Sequence, residues 1–138
     1  LYSFRNCRLK VSLRSAEGDA SAVARRLAAS SVLAADAEKL KFPFLIRGWN
    51  SGDWMRPIGT GGKKKLSDIF SDMKLNVDEK DDAVVIVCPG IDGKNTAGEH
   101  VAAVCGYASG RFYCRVDEAV KATSGTSELI TIYLTSII

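Results

Sequence analysis

The chain has 138 residues, a length that one hydrophobic core can serve, so two full-sized domains are excluded. Hydrophobic residues make up 46% and charged residues 25%, an ordinary globular composition that excludes wholesale disorder. The formal net charge of +3 is too mild to name nucleic acid as a partner. The longest apolar run, Ala83–Cys88, is far short of the ~18 residues a membrane-spanning helix needs, so a soluble protein is expected.

Leu1–Arg14 alternates between apolar residues (Phe4, Cys7, Leu9, Val11, Leu13) and polar or basic ones (Arg8, Lys10, Ser12, Arg14), the period of a strand with one core face and one basic face. The chain opens without methionine, and this basic segment is not followed by an apolar signal core, so a piece of a longer chain is expected. Glu17–Ser30 is Ala-rich and predicts a helix through Ala22, Val23 and Leu27. Val32–Ala35 and Phe44–Trp49 read as strands, with Pro43 at a strand start, where its missing N–H is tolerated. Asn50–Asp53 and Pro57–Gly62 carry turn chemistry. In Lys65–Lys74 the period changes: Leu66, Ile69, Phe70 and Met73 fall at i, i+3, i+4 and i+7, the apolar stripe of an amphipathic helix. Val84–Cys88, Val101–Gly106, Arg111–Val116 and Glu128–Leu134 follow as short strands between turns. The class is α+β and strand-rich, a small layered β-sandwich-like domain with one or two amphipathic helices.

Charge is distributed unevenly. Lys41–Lys65 holds six cations and one anion, whereas Leu66–Asp82 holds six anions and two cations. Gly61-Gly62 followed by Lys63, Lys64 and Lys65 at a predicted helix start suggests an anion site, since helix N-termini present partial positive charge and disfavour three lysines unless a polyanion answers them. A plain solvated lysine loop is the competing reading. A Walker A loop is excluded, because Pro57 stands where its first glycine belongs and Lys64 where Ser or Thr belongs.

Other chemistry is sparse. Four cysteines (Cys7, Cys88, Cys105, Cys114) are widely spaced without a C-x-x-C pair, which fits buried small hydrophobes in a reducing cytoplasm better than a metal site or disulfides. The sole histidine, His100, reads as a surface or strand-edge residue, and no hydrolase triad or nucleophile elbow is present. The Asp78–Asp82 cluster lacks the spaced oxygens of a calcium loop and reads as a solvated turn or helix start. Trp49 and Trp54 flank the Asn50–Asp53 turn and either pin it to the core or offer stacking platforms.

An ordered series leads in at Asp36, Ala37, Lys39 and Leu40 and continues through Lys41–Leu75 with Pro43 and Arg47, Gly52 and Asp53, Pro57 and Gly59, and Lys64-Lys65-Leu66-Ser67-Asp68. It resembles the C-terminal domain of bacterial tRNA(Ile)-lysidine synthase, whose closing hairpin the strand ending at Gly106 and the Arg111-Phe112 pair also resemble. The likeness runs from about Val32 to Leu134, with Leu1–Ser31 fitting loosely. Thr60 and Ala108 stand where the family usually has methionine and arginine, and Asn95–Gly98 lengthens a loop.

The resemblance implies a carbon-nitrogen ligase that adenylates the wobble cytidine of isoleucine tRNA with ATP and Mg2+ and joins lysine to it. The family's S-G-G-x-D-S phosphate loop is absent here, so no catalytic residue or cofactor is expected in this fragment, which is inert alone. Its implied role is to dock the acceptor-stem side of tRNA(Ile), with the N-terminal catalytic domain of the same chain as the other partner. The expected RNA contacts are Lys63, Lys64 and Lys65, then Arg47 and Arg56, then Arg111 and Arg115. Arg47 has an alternative: pairing with Asp53 to brace the turn. A protein-interaction or dimerisation module using strand edges and Leu129–Ile138 is the alternative function, and a free-standing enzyme a weaker third.

Overall fold

The computed structural model describes residues 2–4, 7–41, 44–88 and 99–136, so Pro43 and the Asn95–Gly98 loop lie outside the described residues. The chain divides into two compact units, residues 1–41 with 120–138 and residues 42–119. The strand-rich α+β class is as expected.

The first unit is an antiparallel sheet. β1 (Tyr2–Phe4), β2 (Cys7–Ser15), β3 (Val32–Asp36) and the last strand, β10 (Glu128–Ser136), stand in the order β1-β2-β10-β3. The alternation read from the sequence holds over Cys7–Lys10, with Cys7 and Leu9 buried and Arg8 and Lys10 exposed, but fails beyond it, where Val11 is only partly buried and Leu13 is exposed. The opening segment forms two strands, not one. Helix α1 (Ala20–Ala29) starts at Asp19, whose Oδ1 accepts the Ser21 N–H at 3.0 Å and the Ser21 hydroxyl at 2.6 Å. Ala20 and Val23 of this helix pack with Ala122 and Leu129.

The second unit holds β4 (Leu45–Arg47), β5 (Trp54–Met55), β6 (Lys64–Lys65), α2 (Leu66–Asp72), α3 (Val77–Asp81), β7 (Val84–Val87), β8 (Ala103–Ala108) and β9 (Arg111–Val116). Its sheet runs β4-β7-β8-β9, all antiparallel, with β5 and β6 a separate two-stranded ribbon. The apolar stripe of α2 buries Leu66, Ile69 and Phe70 in a core with Met55, Val85 and Val104. This helix closes with Lys74 at φ 58°, and the Leu75 N–H returns to the Phe70 carbonyl at 3.1 Å. The acidic cluster does start a helix: in α3, Asn76 and Glu79 exchange side-chain and backbone hydrogen bonds at 2.8 and 3.0 Å. β8 and β9 meet in a two-residue turn with Ser109 and Gly110 both at positive φ, the geometry that suits a twisted hairpin.

Candidate nucleic-acid interface

Lys63, Lys64, Lys65, Arg47, Arg56, Arg111 and Arg115 all fall within the second unit, but their surroundings differ. Arg47 ends β4 and its guanidinium turns into the Asn50–Asp53 loop. Nη1 donates to Asp53 Oδ2 at 2.8 Å and Nη2 to Asp53 Oδ1 at 3.0 Å, while Nη1 also reaches the Gly48 carbonyl at 2.7 Å. Asp53, its side chain wholly buried, accepts the backbone N–H of Asn50 at 2.7 Å and of Glu99 at 3.1 Å. Burial pushes the Asp53 carboxyl up, yet Arg47 and the two amides outweigh it and hold the group below the usual carboxylate range. The bond to Asp53 in turn raises Arg47. This is the bracing arrangement, with the guanidinium's fork directed at a buried carboxylate.

Trp54 carries a second cluster. His100 stacks on the indole with ring centroids 4.1 Å apart and planes 13° from parallel. Lys63 Nζ lies 4.2 Å, and the Arg56 guanidinium carbon 4.9 Å, from the indole centroid. His100 Nε2 is 2.8 Å from Asp117 Oδ1, and since a carboxylate only accepts, Nε2 carries the hydrogen. Asp117 also accepts the Arg56 N–H at 2.6 Å and the Ala119 N–H at 2.8 Å. His100 is therefore buried, contrary to the surface reading, because the indole and Asp117 supply an apolar face and a polar partner together. Imidazole and cations occupy the Trp54 ring, so it is not an open platform for a base. Trp49 packs edge-on against Phe70 at 5.3 Å, the core-pinning role.

The anion cradle expected at Gly61-Gly62 does not form as read. Lys64 and Lys65 are extended and paired with Met55 and Trp54, so α2 begins only at Leu66 and the glycine amides are not part of its first turn. The three lysines separate in role: Lys63 lies over Trp54, Lys64 pairs with Asp72, and Lys65 is exposed as the residue preceding the helix, without a side-chain cap. Arg111 and Arg115 are exposed on β9, Arg115 donating to the Cys114 carbonyl at 2.9 Å.

Cys7, Cys88 and Cys105 are buried. Burial pushes the half-buried Cys114 thiol up, the opposite of an activated nucleophile. Among the described residues no three His, Cys, Asp or Glu side chains gather as a metal site. Among the described residues no helix is long and apolar enough to cross a membrane.

Fold and site thus define a small strand-rich α+β domain that presents solvated cations around a braced turn. No family model matches the chain. Among characterised proteins it is 40% identical over 86 residues to the tRNA(Ile)-lysidine synthase of Parabacteroides distasonis, covering 62% of this chain and 17% of that protein. It is 32% identical over 97 residues to that of Geobacter sulfurreducens, covering 70% of this chain and 17% of that protein. For the Bacteroides thetaiotaomicron enzyme the identity is 34% over 86 residues, 62% of this chain and 18% of the relative. The chain is similar to one part of tRNA(Ile)-lysidine synthase, and it spans less than a fifth of the length of these relatives.

Proposed function

We propose that this chain is the C-terminal tRNA-binding domain of a tRNA(Ile)-lysidine synthase, docking the acceptor-stem side of isoleucine tRNA. An N-terminal domain elsewhere in the protein, using ATP and Mg2+, then ligates lysine to the wobble cytidine in the cytoplasm. The observation that carries this reading is the sequence similarity to several such synthases over more than half of the chain. The solvated cations Arg56, Lys63, Lys65, Arg111 and Arg115 support it chemically, because phosphate contacts position a protein on an A-form stem without reading its bases. Arg47 serves by bracing the turn that carries the ribbon. The chain alone turns nothing over.

The test is fluorescence anisotropy against isoleucine tRNA, an acceptor-stem minihelix and an unrelated hairpin across a salt series. Binding of the first two with a log–log salt slope of about −2 to −4 supports docking through some three to five phosphates. Reversing Lys63, Lys64 and Lys65 to glutamate flattens that slope. Absence of RNA binding at low salt, with self-association in sedimentation, supports the interaction-module reading instead.

A further inference from the structure

The basic excess of this protein is not where the lysine cluster is. Residues 1–41 with 120–138 contain nine Lys and Arg against five Asp and Glu, a net +4, whereas residues 42–119 contain ten against eleven, a net −1. Three of the first unit's nine cations share one face of the sheet. Antiparallel pairing sets Arg8 beside Thr135, Lys10 beside Tyr133, Ser12 beside Thr131 and Arg14 beside Leu129. Residues directly opposite share a face, so three cations of β2 stand on the face that carries Tyr133. Tyr133 is 49% exposed although it sits on β10, an inner strand of the sheet. A groove of about 360 Å³ runs here, lined by Lys10, Ser12, Arg14, Leu27, Thr131 and Tyr133, with no carboxylate among its lining residues.

We propose that this groove binds a single-stranded stretch of RNA, its phosphates on Lys10 and Arg14 of the groove and on Arg8 farther along the same face, with a base stacked on Tyr133. The proposal rests on the RNA-binding reading above but uses residues outside it, three of them before Val32, where the family likeness begins. Along the strand Arg8 and Lys10 stand about 6.6 Å apart and Lys10 and Arg14 about 13 Å, spacings that suit successive and alternate phosphates of an extended chain. β2 is itself an inner strand, between β1 and β10, so its cations are not there to guard a sheet edge. Solubility by charge does not account for the half-exposed Tyr133 beside them on β10, whereas base stacking needs an exposed ring.

The experiment titrates the chain with a short fluorescent single-stranded RNA and, separately, with a blunt acceptor-stem duplex. Lys10→Glu with Arg14→Glu is expected to weaken single-strand binding at least tenfold and to lower its salt slope by about 1.4. Tyr133→Ala weakens it roughly fivefold or more, while Tyr133→Phe keeps it, since the ring is retained. Lys63→Glu with Lys65→Glu weakens duplex binding more than single-strand binding. Irradiation of unsubstituted protein with 4-thiouridine RNA should yield an adduct at Tyr133, a readout independent of whether any variant folds. Binding of the duplex without the single strand, equal competition by an acidic peptide, or adducts confined to the lysine ribbon would overturn the inference and leave tRNA docking standing. Binding of the single strand without the duplex would support the inference and remove the docking reading.

Discussion

Asp53 and Arg47 hold the turn from which the basic ribbon springs. Asp53 is buried and accepts four hydrogen bonds, two from the guanidinium and two from backbone amides, so removing its charge leaves Arg47 with only Glu99, at 3.3 Å, as an anionic partner. Asp53→Asn is expected to cost about 3 kcal/mol, the scale for breaking one side of a buried pair, measured by urea unfolding. The same group makes stability pH-dependent. Its native pKa lies below its unfolded value near 3.9, so its contribution is complete above about pH 4 to 5 and is lost as pH falls through the native value. Acid titration of the Asn variant should show a shallower loss than wild type across that window. Gly106 is a second point of constraint. A Cβ there would stand 2.9 Å from the Tyr113 hydroxyl and 3.1 Å from its ring, so Gly106→Ala must displace a buried aromatic and should cost about 1–3 kcal/mol by thermal unfolding.

At the scale of elements, α2 and its exit are the most informative. Lys74 adopts a left-handed φ of 58° to allow the Leu75–Phe70 closing bond, a conformation glycine reaches without Cβ strain. Lys74→Gly is therefore expected to stabilise the protein by about 0.5–1 kcal/mol in denaturant titration, with no change in the helix. The helix itself was legible in the sequence because its apolar residues repeat at 3.6-residue spacing, and the β8–β9 hairpin because strand-like runs flank Ser109-Gly110. The ribbon was not. Lys64-Lys65 carries no apolar alternation, and its extended state follows from pairing with Trp54 and Met55, distant in sequence. The buried state of His100 was illegible for the same reason: only the fold brings Trp54 and Asp117 to its ring. The brace at Arg47 was half visible, since a Gly-Asp turn six residues on supplied the partner but not the burial that decides the pairing.

For the whole molecule, the charge ledger divides between two units, +4 against −1, and the family likeness falls mainly on the second. On the proposed tRNA-docking reading, long-range attraction to the polyanion would come chiefly from the first unit, and local registration from the exposed cations of the second. Variants in the first unit should slow association, and variants around Arg56, Lys63 and Lys65 should chiefly speed dissociation, a split that stopped-flow binding to labelled tRNA resolves. The central claim is that this chain docks the acceptor-stem side of isoleucine tRNA. Hydroxyl-radical footprinting of the tRNA saturated with the chain at low salt tests it most directly. Protection of riboses along the acceptor stem and its 3′ end is the predicted result. Protection confined to the anticodon arm, or a cleavage pattern identical to free tRNA, would contradict it.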